Sequence, residues 1–100
     1  MRKLVLLLLM ATPTVAQVSP ERAEDLRQMV IHDCGSCHGL TMKGGLGSDL
    51  RPETLARKPQ EALAATILDG VPGTAMPPWR PLLSEADAEW IAGYLKETDK

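Results

Sequence analysis

The stretch Cys34-Gly35-Ser36-Cys37-His38 decides how this chain is read. Two thiols three positions apart, followed at once by an imidazole, make a C-x-x-C-H pentapeptide, the pattern of covalent haem attachment. Each thiol of such a pair forms a thioether with one haem vinyl group, and the adjacent histidine sets an imidazole against one face of the iron. Cys34 and Cys37 are the only cysteines among 100 residues, so no other pairing is available to them. A thioredoxin-like redox pair needs a βαβ setting, which the surrounding pattern does not supply. A zinc site needs four ligands, and the chain offers two Cys with His32 and His38 crowded onto one segment. A disulfide between the two thiols would close a very short loop. The pentapeptide therefore predicts one haem c, bound through Cys34 and Cys37, with His38 as an axial ligand.

The N-terminus agrees with that chemistry. Arg2 and Lys3 precede an apolar run of seven residues, Leu4 to Met10. Thr12 and Pro13 break the run, and Thr14-Val15-Ala16 ends on a small residue. This is the layout of a secretory signal cleaved after Ala16, with Gln17 as the mature start. Cleavage after Ala11 is a weaker alternative. Seven apolar residues fall far short of the ~20 of a membrane-spanning helix. The expectation is a signal peptide over 1–16 and a monohaem domain over 17–100, exported to the periplasm without a stable membrane span. Covalent haem attachment normally takes place outside the cytoplasm, so the two signals agree.

The mature segment is one small domain with a modest core. Two Trp, one Tyr and no Phe leave it short of large apolar side chains, and a haem would supply the apolar centre. Residues 17–100 carry nine basic and thirteen acidic side chains, a net −4, which argues against nucleic acid as a partner. The middle segment, 34–83, is slightly basic at +1, while 17–33 carries −2 and 84–100 carries −3. That unevenness bears on how a partner docks.

The chain reads as helix, loop, helix, loop, helix. Ser19 is a good N-cap with Pro20 at the first helical position. Ala23, Leu26 and Val30 follow at helical spacing, so this helix has one apolar face and runs into Cys34. Residues 39–53, with four glycines and Pro52, are loop-like. A middle helix spans about Pro59 to Asp69, with Leu63 and Ile67 on its apolar face, Ala64 and Thr66 beside them, and Gly70 as its C-terminal cap. Pro72, Gly73, Pro77, Pro78 and Pro81 exclude helix and central strand over 71–83. The last helix begins at Ser84, where Ser84-Glu85-Ala86-Asp87 is a capping-box variant. Trp90, Ile91, Tyr94 and Leu95 form its apolar face. No stretch alternates with period two, so the class is all-α.

The second axial ligand sets the function. The candidates are His32, Met29, Met42, Met76, a lysine, or nothing. Met42 follows His38 by four residues, which span at most ~14 Å, leaving no length to go round a haem edge. Met29 and His32 lie on the helix leading into the cysteines and stay near the proximal side. Met76 lies 38 residues beyond His38 in Gly73-Thr74-Ala75-Met76-Pro77-Pro78. A proline-stiffened loop presents a thioether at low ordering cost. The alternative for such a Met is core filler.

A helix ending in C-x-x-C-H, a Met-Pro loop and a last helix with Tyr94 on its packing face resemble a class I c-type cytochrome over about residues 19–97. The glycine-rich Lys43–Leu50 stretch and Ala75-Met76-Pro77-Pro78-Trp79 are similar to the small cytochromes encoded in denitrification clusters beside cytochrome cd nitrite reductase. The resemblance implies three or more helices wrapped around one haem, with Cys34 and Cys37 on the vinyls, His38 proximal and Met76 distal. Where that family has Gly-Pro-x-Leu, this chain has Gly47-Ser48-Asp49-Leu50. A backbone carbonyl remains there to accept the His38 Nδ1 hydrogen, from a less rigid loop. Trp79 and Leu82 are expected at the haem pocket, and Arg51 or Arg80 at a propionate or in solvent. The implied function is non-enzymatic electron transfer by a monomer, with redox proteins as partners and nitrite reductase as acceptor. The alternative is a redox role in making the special haem of that reductase. An open-site haem sensor or peroxidase would need iron that Met76 does not fill.

Overall fold

Ser19 opens the first helix as its composition predicts: its hydroxyl accepts the Arg22 N–H at 3.1 Å, and Pro20 takes the first helical position. A computed structural model of the chain describes residues 2–8 and 17–98. Helix α1 spans Pro20–Met29 and buries Ala23 and Leu26. It does not run as a regular α-helix into the cysteines. Val30–Cys34 forms a π-helical turn, in which the Gly35 N–H reaches back to the Val30 carbonyl. Helix α2 follows directly at Gly35–His38.

A short helix, α3, spans Pro52–Leu55 at the end of the stretch that reads as loop. It buries Leu55 almost completely. Four residues are too few to show a period, which is why the sequence conceals this element. Helix α4 spans Gln60–Asp69, with Pro59 as the residue before it and Gly70 closing it at φ +67°. Its buried positions are Ala64 and Leu68, while Leu63 and Ile67 are half-buried beside them. The predicted face thus meets the core through Leu63, Ala64 and Ile67, Leu68 is buried in addition, and Thr66 is exposed.

Helix α5 spans Glu85–Lys96 behind a complete capping box. The Ser84 hydroxyl accepts the Asp87 N–H, and the Asp87 carboxylate accepts the Ser84 N–H, both at 3.0 Å. It buries Ala88, Ile91, Ala92 and Leu95. Trp90 and Tyr94 are half-buried and stack at 5.0 Å, with the Arg27 guanidinium 5.5 Å from the Trp90 ring. Such a cation–π contact at the surface contributes about 0.5–1 kcal/mol.

Helix α5 is the hub: α1, α3 and α4 all pack against it. The core holds Leu26, Val30, Leu55, Ala64, Leu68, Leu83, Ala88, Ile91, Ala92 and Leu95. Its largest members are leucine and isoleucine, and each contributes on the order of 1.5–3 kcal/mol through burial. An ion pair links α1 to α5, with Arg22 Nη2 3.0 Å from Asp87 Oδ2 and Arg22 Nε 3.3 Å from Asp87 Oδ1. Among the described residues there is no strand, and no helix is long and apolar enough to cross a membrane. Residues 2–8 lie outside any helix, and Leu4 to Leu8 are exposed. The predicted signal break and cleavage site at Thr12–Ala16 lie outside the described residues.

Candidate haem site

The π-turn and α2 place Cys34, Cys37 and His38 within one short length of chain. Both cysteines are free thiols and half-buried. Burial pushes the Cys34 thiol up to about 11, and the neighbouring Asp33 carboxylate adds to the effect. His38 Nδ1 lies 2.7 Å from the Ser48 carbonyl oxygen. A carbonyl only accepts, so the ring carries its proton on Nδ1 and presents its lone pair at Nε2, as a metal-binding imidazole must.

A tight loop delivers that carbonyl. The Gly47 N–H donates to the Cys37 carbonyl at 2.7 Å, the Gly44 N–H to His38 at 2.9 Å, and the Gly45 N–H to Gly47 at 3.0 Å. Gly47 lies flush with the imidazole, since a Cβ there would sit 2.7 Å from His38 Cε1 and Nδ1. No other residue type fits without moving the ring. Met42 adopts φ +60°, a conformation a bulky residue takes only when its surroundings require it. Its side chain is half-buried against the core, and the Leu50 N–H donates to its carbonyl at 2.8 Å. Met42 is therefore a packing anchor of the 39–51 loop, a role the sequence reading did not give it.

Met76 is placed by a separate loop that hangs from α4. The Trp79 and Arg80 N–H groups donate to the Ile67 and Leu68 carbonyls, each at 3.1 Å. Arg80 pairs with Asp69 at 2.8 Å. At the other end Gly70 makes the turn, and a Cβ there would come within 2.7 Å of the Met76 carbonyl oxygen. That carbonyl accepts the Val71 N–H at 3.2 Å, and the Thr74 hydroxyl accepts the Met76 N–H at 3.3 Å. Met76 itself is half-buried, Trp79 is half-buried against the core, and Leu82 is 64% exposed.

The two candidate propionate arginines are both engaged. Arg51 pairs with Asp49 at 2.7 Å and Glu53 at 3.5 Å, and Arg80 pairs with Asp69 and, at 3.9 Å, with Glu85. The sequence does not show these partners. His32 is exposed and Met29 is half-buried against the core. Among the described residues no three His, Cys, Asp or Glu side chains group to hold a metal ion. A surface hollow of about 620 Å³, lined in part by Val18, Gln60, Glu89 and Trp90, includes none of the cysteines, His38 or Met76.

These residues fit a covalently held haem. Two unpaired thiols stand beside an imidazole already in the right tautomer. Leu50, Leu63, Ile67 and Trp79 each pack on the core and keep part of their apolar surface uncovered, and partly uncovered apolar side chains of this kind suit a porphyrin. The profile of the family described as "Cytochrome C oxidase, cbb3-type, subunit III" matches residues 21–95. The chain belongs to the c-type cytochromes. Membership goes with covalent haem c, and the chain's two cysteines, Cys34 and Cys37 in C-x-x-C-H spacing, fit one such haem. A Cytochrome c55X of Paracoccus denitrificans (strain Pd 1222) is 52% identical over 101 residues, covering 99% of this chain and 98% of that one. The solved structure of a "c-type cytochrome NirC" matches with a TM-score of 0.79 at 50% identity, covering 82% of this chain and 96% of that one. A much longer relative, the Dihydro-heme d1 dehydrogenase of Pseudomonas aeruginosa, is 41% identical over 63 residues, covering 62% of this chain and 13% of that one. The all-helical architecture is thus a c-type cytochrome fold, and the family role is electron transfer.

Proposed function

We propose that this cytochrome is a periplasmic one-electron carrier that uses His38 and Met76 as axial ligands and donates electrons to nitrite reductase in denitrification. The observation that carries the reading is the 2.7 Å bond from His38 Nδ1 to the Ser48 carbonyl. It fixes the tautomer, aims Nε2 away from the loop and raises the basicity of that nitrogen. When bound, the haem supplies the one-electron ferric–ferrous couple. Cys34 and Cys37 hold it in place, Gly47 keeps the imidazole seated, and the Gly70–Trp79 loop offers the Met76 thioether. His38 and Met76 would hold the iron between two side chains and leave no open position for substrate, which supports a carrier rather than a catalyst. A thioether favours the ferrous state and raises the potential. The apolar N-terminal run and the C-x-x-C-H motif together support export of residues 17–100.

Reduced holoprotein is expected to bind carbon monoxide poorly and to be oxidised rapidly on stopped-flow mixing with nitrite reductase. Ready carbon monoxide binding would overturn Met76 ligation and favour an open-site sensor or peroxidase. No oxidation on the timescale of turnover would overturn the donor role.

A second reading is favoured by the match to a Dihydro-heme d1 dehydrogenase. Here the cytochrome serves as redox partner while the special haem of nitrite reductase is made. A deletion strain separates the two. Reductase with full cofactor and slow nitrite turnover supports donation, whereas reductase lacking its special haem supports assembly.

A further inference from the structure

Ser48 holds its carbonyl against His38 without the proline ring that stiffens this position in the family it resembles. The flanking contacts show what replaces it. On the N-terminal side the Gly47 N–H is bonded to the Cys37 carbonyl. On the C-terminal side the Asp49 carboxylate folds back on the chain. Its Oδ1 accepts the Arg51 backbone N–H at 2.8 Å. The Arg51 side chain then grips the same carboxylate, with Nε 3.0 Å from Oδ2 and 3.2 Å from Oδ1, and Nη2 2.7 Å from Oδ2. Arg51 Nη1 is held in turn 3.5 Å from Glu53, in α3. The guanidinium and the Arg51 amide hold the Asp49 carboxyl down at about 2, so the clamp is charged at neutral pH. Charge-assisted bonds in a forked arrangement are strong and directional.

We propose that Asp49 and Arg51 are a positioning pair for the proximal imidazole: their clamp fixes the Ser48–Asp49 peptide, whose carbonyl sets the His38 Nδ1 hydrogen bond and through it the reduction potential. This rests on His38 being the proximal ligand. A firm Nδ1–H···O bond pushes electron density to Nε2 and favours ferric iron, and loosening it raises the potential. The sign is diagnostic. Loss of clamp geometry makes Asp49→Ala and Arg51→Ala both raise the potential. A bare charge effect moves them in opposite directions, because one variant removes a negative charge and the other a positive one.

The experiment is redox titration of the two holoproteins, with proton NMR of the His38 ring in the oxidised state. The clamp predicts a raised potential in both variants and solvent exchange of the His38 Nδ1–H accelerated about tenfold, the order expected for one weakened hydrogen bond. Ser48→Pro in the Arg51→Ala background is expected to move both readouts back toward wild type. Should Arg51→Ala not accumulate as holoprotein, Arg51→Gln gives the same comparison. Shifts of opposite sign, or an unchanged exchange rate, would overturn the clamp. A wild-type His38 ring without a hyperfine-shifted Nδ1–H would instead overturn proximal ligation itself, which separates the two failures.

Discussion

The proximal loop, 39–51, and the Met76 loop, 70–83, both serve the proposed haem, and they are built differently. The proximal loop is closed by backbone hydrogen bonds onto Cys37 and His38 themselves, and it touches the imidazole directly. The Met76 loop is stiffened by prolines and tied at its two ends to α4, and its hydrogen bonds near Met76 go to the backbone rather than the sulfur. One proposed ligand, His38, is gripped by its ring, and the other, Met76, is held by its main chain. The difference teaches that the His38 side cannot change at Gly47, which lies flush with the imidazole, while the Met76 side is expected to lose its thioether and keep its fold.

The sharpest way to break that comparison is Gly47→Ala. A Cβ 2.7 Å from two imidazole atoms forces the ring from its seat. The expected outcome is loss of the native haem absorption spectrum and of most holoprotein, and a wild-type spectrum would show that the ring yields freely. Met76→Ala comes next. It should open the iron to carbon monoxide and lower the potential on the order of a hundred millivolts, well within the ~0.8 V that axial ligands command. Circular dichroism should show the helices intact, and a collapsed fold would erase the contrast between the loops.

Gly70→Ala probes the attachment of the Met76 loop. At φ +67° and ψ −171°, a backbone region essentially confined to glycine, and with the Met76 carbonyl oxygen 2.7 Å from the new Cβ, it should cost about 1–3 kcal/mol. Thermal unfolding measures that, and carbon monoxide binding reports whether Met76 has let go.

Acid should act on the same side. Arg22 bonds the Leu82 carbonyl at 3.3 Å as well as Asp87, so the ion pair also fastens the end of the Met76 loop. The Arg22 guanidinium holds the Asp87 carboxyl below its ordinary range. A depressed carboxylate stabilises the fold fully above its unfolded value, near 3.9, and loses that contribution as pH falls through its folded value. Asp87→Asn is therefore expected to lower stability by about 1 kcal/mol at neutral pH, since Arg22 is partly exposed, with the gap to wild type closing below about pH 4. A gap that stays constant to lower pH would remove Asp87 from the account. Arg80→Ala is the smallest change. Its pair with Asp69 is more than half exposed on both sides, so the loss should be about 0.5 kcal/mol in thermal unfolding.

How much was legible in the sequence follows from the range over which each signal acts. Ser19-Pro20 and Ser84–Asp87 announce helix starts through bonds between near neighbours, and both starts are where the residues place them. Gly70 marks the end of α4 for the same reason. Helix α3 is hidden because Pro52–Leu55 makes a single turn and anchors itself through one leucine. The π-turn is hidden because it begins and ends on ordinary helical dihedrals at Val30 and Cys34 and holds no glycine or proline, so no residue type signals it. The thiols and His38 could be read from their spacing, and so could the survival of an acceptor at Ser48. The Asp49–Arg51 clamp could not, because two oppositely charged residues two apart in a loop meet only if the backbone folds back. The packing face of α4 was legible in Leu63, Ala64 and Ile67, but the fuller burial of Leu68 was not, because it depends on what packs against the helix.

The π-turn at Val30–Cys34 makes the setting of the thiols a matter of counting. Each helical residue turns the chain by about 100°, so the one extra residue in that wide turn rotates everything after it relative to α1. Removing any single residue between Met29 and Cys34 would leave a regular helix with the same caps and almost the same composition. It would also swing Cys34, Cys37 and His38 round the axis by about that angle, away from the loop that receives them. Substitutions at the exposed Ile31, His32 and Asp33 are thus tolerable where deletions are not, and the spacing from α1 to the pentapeptide is held by chain length rather than by those side chains.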